Sequence, residues 1–300
     1  MTWWILAIVA SYFCFALAAL GDKIVLSKSS EPKYYTFFVG LFSGLAVLII
    51  PFVEFSIPQG IVWLWIILGA LFYIAGLYYF FDAIKKFDLS KIVPTVGAFQ
   101  PIFIALISLL FWKNQGMSGF EITAFIILLL GGILISVEKN YTITKASLKV
   151  SFLAALFFSL DIIFSKLVFQ ELSFWEGFIW IKIFSFIFIL IFLFEKSFRK
   201  NIFKVEKQIN KKISFVFLSA QIFGGLATVL QSLAVNLVPI ADLAIMNAMK
   251  GVQYVFLFVM VLLISSFFPK IVKEDLSQKI IVQRIIAIAL ITIGFVIFVI

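Results

Sequence analysis

Residues 240–267 read IADLAIMNAMKGVQYVFLFVMVLLISSF, an apolar run with one lysine, Lys250, near its middle. A run of about 20 or more apolar residues is long enough to cross the hydrocarbon core of a bilayer as one helix. Lys250 lies at least about 10 residues, or roughly 15 Å, from either end of such a helix. Its side chain reaches only about 6 Å, so the ammonium group cannot extend to the membrane surface. Because a central lysine costs about 2.5–3.5 kcal/mol in lipid, Lys250 is predicted to face a water-filled cavity or a counter-charge.

The composition places the whole chain in the same class of protein. Hydrophobic residues make up 64% of the 300 residues, charged residues make up 13%, and the mean hydropathy is +1.18. Soluble domains are about half apolar and about a quarter charged, so we predict an all-α integral membrane protein. The net charge of +9 is interpreted as basic loops that fix the topology, and we predict no nucleic-acid partner.

The residue types that catalysis and metal binding use most are scarce. The chain has no histidine, and its single cysteine, Cys14, sits in an apolar run. Histidine is the commonest general base and metal ligand, and one cysteine can form neither a disulfide framework nor a thiolate cluster. We therefore predict that the protein is not an enzyme and that it has no catalytic residue, no metal site and no cofactor.

Ten apolar runs alternate with polar breaks along the chain, and none shows the alternating pattern of a membrane strand. We therefore predict ten transmembrane helices, with the N-terminal run as the first. The weakest break is FQELSF, between the sixth and seventh runs. The runs are 3–22, 34–53, 61–82, 90–112, 119–137, 149–170, 174–194, 213–235, 240–267 and 281–300.

The basic residues are divided very unequally between the two sets of loops. Of the 24 lysines and arginines, only Lys113 and Lys166, which is close to the end of the sixth run, are counted with the loops that follow even-numbered runs, and Lys182 and Lys250 are counted with no loop. All the others lie in the loops that follow odd-numbered runs. The positive-inside rule puts that second set of loops in the cytoplasm and both termini outside, in an inner or plasma membrane.

The longest basic loop carries a second, shorter pattern. Phe198, Ile202, Val205 and Ile209 recur at helical spacing, with lysines on the other faces. This spacing predicts a short amphipathic helix that lies on the anionic inner leaflet.

The chain nearly repeats itself across its midpoint. GDKIVLSK at the end of the first run is similar to FSKLVFQE at the end of the sixth, and LFSGLAVLI in the second is similar to IFSFIFILI in the seventh. The two copies cover residues 1–140 and 148–300, with five predicted helices each. Because five is odd, the second copy enters the membrane in the opposite orientation. Inverted repeats are a transporter architecture, with the substrate site near the midplane between the copies.

The hairpin LYYFFDAIKKFDLSKIVPTVGAFQPIFIALISLLF, residues 77–111, and the following helix FEITAFIILLLGGILIS resemble the EamA-type half of the drug/metabolite transporter superfamily. The positions that carry the family pattern are Ala83, Ser90, Pro101, Ile102 and Phe103. The chain departs from that pattern with WKNQG after the fourth run, and with Gln253-Tyr254 in place of Gln-Pro in the second copy. The resemblance covers both copies, and it implies ten helices and the export or exchange of small metabolites, often amino acids.

Three ionisable side chains lie near the predicted midplane: Lys250, Lys182 in the seventh run and Asp161 in the sixth. Asn247 and Tyr254 lie three residues before and four residues after Lys250, so these three share one face of a helix. Two lysines and one aspartate leave a surplus of one positive charge. We interpret the surplus lysine as the receptor for an anionic substrate group, such as a carboxylate. The alternative is structural: one lysine pairs with Asp161 and the other bonds to backbone carbonyls. Which lysine pairs with Asp161 stays open.

Three further side chains complete the predicted substrate site. They are Gln100 and Thr95 in the fourth run and Trp180 in the seventh. An interhelical hydrogen bond or plain packing explains each of them equally well. The same holds for Gln221 and Gln231 in the eighth run.

These patterns predict a secondary transporter that works by alternating access on small polar metabolites, such as amino acids or organic anions. The alternatives are a transporter of other solutes, such as nucleotide-sugars or drug-like molecules, and a structural or assembly subunit. No nucleophile–base pair or metal set supports a membrane enzyme, and no phosphate-binding glycine loop supports a primary pump. Protons are a candidate coupling ion through Asp161. Both a monomer and a homodimer are compatible with the sequence.

Overall fold

The computed structural model describes residues 3–28, 32–87, 89–112, 117–134, 145–200, 211–267 and 278–299. Within these ranges the backbone is helical or irregular. A 3₁₀ segment, Phe42–Phe52, extends the second helix, and another, Ile191–Phe194, extends the seventh. The α-helices are α1 (Trp3–Lys28), α2 (Pro32–Leu41), α3 (Val62–Lys86), α4 (Leu89–Phe111), α5 (Gly119–Leu134), α6 (Lys145–Glu171), α7 (Phe174–Leu190), α8 (Lys211–Leu237), α9 (Leu243–Ala248), α10 (Gly251–Phe267) and α11 (Gln278–Val299).

Seven helical segments in the described ranges are long and apolar enough to cross a membrane. They coincide with seven of the ten predicted runs. Shorter apolar helices at Thr95–Phe111, Gly119–Leu134 and Val282–Phe298 lie where the fourth, fifth and tenth runs are predicted. The all-α membrane class is therefore confirmed, and the count of ten crossings stays a prediction.

The break between α6 and α7 is short but well defined. Helix α6 ends at Glu171 and α7 begins at Phe174, with Ser173 and Glu176 forming a capping box. The Ser173 hydroxyl donates to the Glu176 carboxylate at 2.7 Å, and the Ser173 backbone N–H donates to it at 3.2 Å. This reciprocal cap satisfies groups that a helix start leaves without partners, so a connection of two residues, Leu172 and Ser173, is enough to separate two long helices.

Helices of the first half of the chain pack against helices of the second half. Helix α1 lies along α8, α3 lies along α6, and α5 lies along α11. Helix α4 also packs on α6, and α1 on α10. Fully buried side chains, among them Ile8, Ile66, Ile163 and Leu243, join these helices in one apolar core.

The ninth predicted run is not one continuous helix, and this part of the prediction is wrong. Helix α9 ends at Ala248 and α10 begins at Gly251. Tight turns replace regular helical bonds there: Lys250 N–H donates to Asn247 O at 3.1 Å, and Gln253 N–H donates to Lys250 O at 3.0 Å. A Cβ on Gly251 would lie 3.0 Å from Ile291 Cδ1 and 3.2 Å from Gly132 Cα, so α10 begins in close contact with α5 and α11. The break between α9 and α10 therefore lies where the chain packs closely on two other helices. The hydrophobicity of the sequence alone does not predict it.

Two basic-loop predictions also change. Residues 196–200 are helical, but Phe198 is 2% exposed and stacks on Tyr34 with 4.8 Å between ring centroids, so it faces the protein and not the leaflet. The rest of the predicted amphipathic helix, with Ile202, Val205 and Ile209, lies outside the described residues.

Lys166, which the sequence places in a loop, is buried on α6. Its ammonium group donates to the carbonyls of Val235, Asn236 and Val238 at 3.1, 3.1 and 2.7 Å. These carbonyls stand at the C-terminal end of α8, where a helix leaves acceptors unsatisfied and favours a cation. Lys166 is therefore a cap between two helices and does not report on topology.

Candidate functional site

A cavity of about 480 Å³ lies in the middle of the helix bundle. This volume is in the range of sites for small molecules. Apolar and aromatic side chains form most of its wall. The polar and charged residues that line it include Asp22, Tyr73, Gln100, Asp161, Lys182, Gln221, Thr228, Gln231, Lys250 and Gln253.

Lys250 reaches this cavity from the break between α9 and α10. Its Nζ donates to Oε1 of Gln100 on α4 at 2.9 Å. Gln100 is 2% exposed and also lines the cavity, so the two predicted residues are brought together. The direct ion pairs among the described residues are Lys33–Glu195 and Lys86–Asp82, and neither involves Lys250. A neutral partner leaves the positive charge of Lys250 available to a ligand.

Lys182 and Asp161 form a second charged group in the wall. The Lys182 ammonium lies 3.7 Å from the centroid of the Tyr73 ring, a close cation–π contact. Asp161 accepts a hydrogen bond from Ser165 at 3.3 Å, and its charge attracts that of Lys182. Both residues also line a small polar pocket of about 30 Å³ with Thr228. Of the two midplane lysines, Lys182 is therefore the one associated with Asp161.

The other two residues predicted on the Lys250 face bond to backbone near it. Tyr254 Oη donates to Val93 O at 2.8 Å, and Asn247 Nδ2 donates to Leu243 O at 2.9 Å. Both side chains are buried, and the cavity wall does not include them. Gly97 on α4 makes room for this contact, because a Cβ there would lie 1.9 Å from Tyr254 Oη and 3.4 Å from Lys250 Cδ.

Trp180 and Thr95 are placed away from the cavity wall. Trp180 Nε1 donates to Ser56 O at 2.9 Å, and its ring stacks on Phe55 with 4.9 Å between centroids. Trp180 also meets Trp63 edge-on at 4.9 Å. These contacts tie the start of α7 to the connection between the α2 extension and α3. Thr95 is half-buried on α4.

Asp22 is a site residue that the sequence prediction missed. It lines the cavity from α1 and accepts a hydrogen bond from the hydroxyl of Tyr35 on α2. The prediction ended the first helix at about residue 22, whereas α1 continues to Lys28. Counting the charges of the described lining residues, Asp22 and Asp161 balance Lys182 and Lys250. The surplus of one positive charge inferred from the sequence is therefore wrong for the cavity as a whole.

Gln253 is a second residue of the cavity wall that the predicted substrate site did not include. It is 5% exposed and lines the cavity from α10. Within the described part of the chain, its Oε1 has no hydrogen-bond partner. A buried amide oxygen without a partner is rare in a folded protein, so Gln253 is a further candidate site residue.

Among the described residues, no three His, Cys, Asp or Glu side chains lie close enough together to hold a metal ion.

The chain is similar to known proteins in sequence and in structure. Residues 2–137 match the model of the EamA-like transporter family. Over these residues the match confirms the resemblance to the drug/metabolite transporter superfamily. A solved structure described as "Crystal structure of protein" superimposes with a TM-score of 0.67. The alignment covers 99% of this chain and 95% of that one at 15% sequence identity, so it shows the fold alone. No curated protein matches the chain in sequence.

The family and the seven long apolar helices define the class of protein. It is a multi-pass membrane protein, and the family match over residues 2–137 points to the transport of small solutes.

Proposed function

We propose that the protein is a secondary transporter that exports or exchanges small polar metabolites bearing an anionic group, such as amino acids or organic anions. The observation that carries this proposal is the Lys250 ammonium, which lines the cavity and bonds to the neutral Gln100. A cation in low dielectric that lacks a carboxylate partner is an efficient receptor for an anion. A purely structural subunit would have no use for this arrangement.

The substrate moves by alternating access between two inverted repeats, residues 1–140 and 148–300, with ten crossings in all. Helix contacts support the repeats. In the two copies, the first helix corresponds to the sixth and the third corresponds to the eighth. The contact of α1 with α8 in one arrangement therefore corresponds to the contact of α6 with α3 in the other, and both contacts are present. The α5–α11 contact, between the fifth helix of each copy, maps onto itself. Such symmetry lets one backbone adopt two related states that open on opposite sides.

The membrane is an inner or plasma membrane, and both termini lie outside the cytoplasm, as the distribution of basic loops favours. A reporter that works only in the cytoplasm should be silent at Ile300 and active when inserted in the 196–212 loop. The reverse pattern would show that the chain is inverted.

Counterflow tests the proposed function directly. Proteoliposomes loaded with unlabelled amino acids or organic anions should transiently accumulate the same labelled solute from outside. Vesicles without protein, and protein vesicles without the internal solute, are the controls. Uncharged solutes of similar size should show no counterflow. Counterflow of uncharged solutes, with none for any anionic solute, would contradict the proposal. A pH-sensitive dye in the same vesicles reports whether protons move with the solute.

A further inference from the structure

Asp22 stands on the face of α1 that borders the cavity. Phe15, Ala18, Ala19 and Asp22 all line the cavity, and their spacing is that of one helical face. The first three are apolar, and the two alanines leave room beside the helix. Asp22 is thus a carboxylate at the end of an apolar strip and not an isolated surface charge.

Neutral groups from two other helices hold this carboxylate in place. Tyr35 on α2 donates its hydroxyl to Asp22, and the side chain of Gln221 on α8 hydrogen-bonds to the same hydroxyl. Tyr35 is 2% exposed, because the rings of Phe81 and Phe217 pack edge-on against it at 4.8 and 5.6 Å. The hydroxyl that orients Asp22 is therefore fixed by packing.

Among the described residues, neither Asp22 nor Lys250 forms an ion pair with a group of opposite charge. In the described ranges, no lysine or arginine nitrogen lies within 4.0 Å of Asp22, and Asp161 is associated with Lys182. A buried charge is costly unless an opposite charge meets it. One ligand with a positive and a negative group would meet both.

The two charges lie at different levels of the cavity. Tyr12 donates to Met246 O at 2.9 Å and Phe13 meets Phe256 at 5.3 Å, so the α9–α10 break that carries Lys250 lies beside residues 12–13 of α1. Asp22 is ten residues after Tyr12, which is roughly 15 Å between backbone levels along the helix axis. A lysine side chain reaches about 6 Å, so a ligand needs to span only the remainder. The apolar strip of α1 lies between the two levels.

We propose that Asp22, with Tyr35 and Gln221, binds a positively charged group, and that the ligand is a zwitterion whose charges are separated by an apolar segment. This inference rests on the proposed function for its anionic end at Lys250. Its cationic end rests on Asp22 alone.

Four small probes test it by calorimetric titration of the purified protein in detergent: hexanoate, hexylamine, 6-aminohexanoate and its isomer 2-aminohexanoate. We expect wild type to bind 6-aminohexanoate more tightly than hexanoate or 2-aminohexanoate, by roughly tenfold to a hundredfold, the range of one charge-assisted hydrogen bond. Asp22→Asn should remove that advantage and the binding of hexylamine, and should leave hexanoate affinity unchanged. Asp22→Glu should retain at least part of it. Asp82→Asn, which removes a carboxylate outside the cavity, is the matched control.

Each arm has a result that overturns one proposal. Wild type that binds hexanoate but not hexylamine would overturn the Asp22 site and leave the proposed function standing. Hexylamine binding that depends on Asp22, without any hexanoate binding, would overturn the anionic site and leave the Asp22 site. Equal affinities for the two aminohexanoate isomers would overturn the separation of charges. Hexylamine affinity unchanged in Asp22→Asn, in protein of wild-type thermal stability, would show that Asp22 binds no cation.

Discussion

Replacing Asp161 with asparagine is expected to lower both the yield and the thermal stability of the protein. Asparagine keeps the size of the side chain but removes the charge that attracts Lys182. Lys182 is 6% exposed and would keep its cation–π contact with the Tyr73 ring but lose the attraction of a negative charge. Breaking a direct buried ion pair by removing one partner costs about 3–5 kcal/mol. We expect a smaller loss here, because Asp161 and Lys182 attract each other without a direct ion pair. Detergent-solubilised yield and unfolding temperature measure the loss.

A double substitution identifies the true partner. Asp161→Leu with Lys182→Met should recover most of the yield, because two apolar side chains are better tolerated than one unpaired charge. Asp161→Leu with Lys250→Met should not recover it. If Asp161→Asn alone leaves yield and transport intact, the association of Asp161 with Lys182 has no energetic importance.

Replacing Lys250 with methionine is expected to weaken binding of the anionic substrate while the fold is kept. Methionine is similar in length to the lysine side chain and removes its charge, so the thermal stability of the protein should stay the same or rise. Affinity should fall by roughly 1.5–3 kcal/mol, the usual worth of a charge-assisted hydrogen bond. Lys250→Arg should rescue only part of it, because a planar guanidinium needs different partners from an ammonium. Affinity for the solute that gives counterflow is compared in purified variants at matched stability.

Lys86→Met is the control for this experiment. Lys86 forms an exposed pair with Asp82 at 2.8 Å and lies outside the cavity wall, so its loss should leave substrate affinity unchanged. Equal affinities in wild type and Lys250→Met would show that Lys250 serves the structure and not the substrate.

Hydrophobic runs predicted the helices well, and the break between α9 and α10 shows where they stop being informative. A helix that crosses a membrane needs only sufficient length and an apolar composition. Both can be read from the sequence without knowing which residues are neighbours in space. The break at Met249 and Lys250 is set beside Gly132 and Ile291, which are distant in sequence. Likewise, Lys166 looks like a loop lysine until the end of α8 is placed beside it.

The candidate site divides in the same way. The high cost of burying a charge in lipid pointed to Lys250, Lys182 and Asp161, and all three line the cavity. Helical spacing grouped Asn247 and Tyr254 with Lys250. Spacing predicts that residues share a helix face, but it does not predict whether that face contacts a cavity or another helix. Asp22 was missed because a charge near the end of an apolar run resembles an ordinary helix terminus.

The contact of Gly97 with Tyr254 has a consequence for how this sequence can vary. Any side chain at position 97 would occupy the place of the Tyr254 hydroxyl, which lies 1.9 Å from where a Cβ would stand. A side chain at position 97 would push the Tyr254 hydroxyl away from Val93 O, so we expect Gly97 to change more readily once the phenol at position 254 has been lost. Conversely, a tyrosine gained at 254 in a relative with a larger residue at 97 would not fit. Among descendants of a common ancestor, the two positions are expected to change in a fixed order, with the helix-ten position first and the helix-four position second.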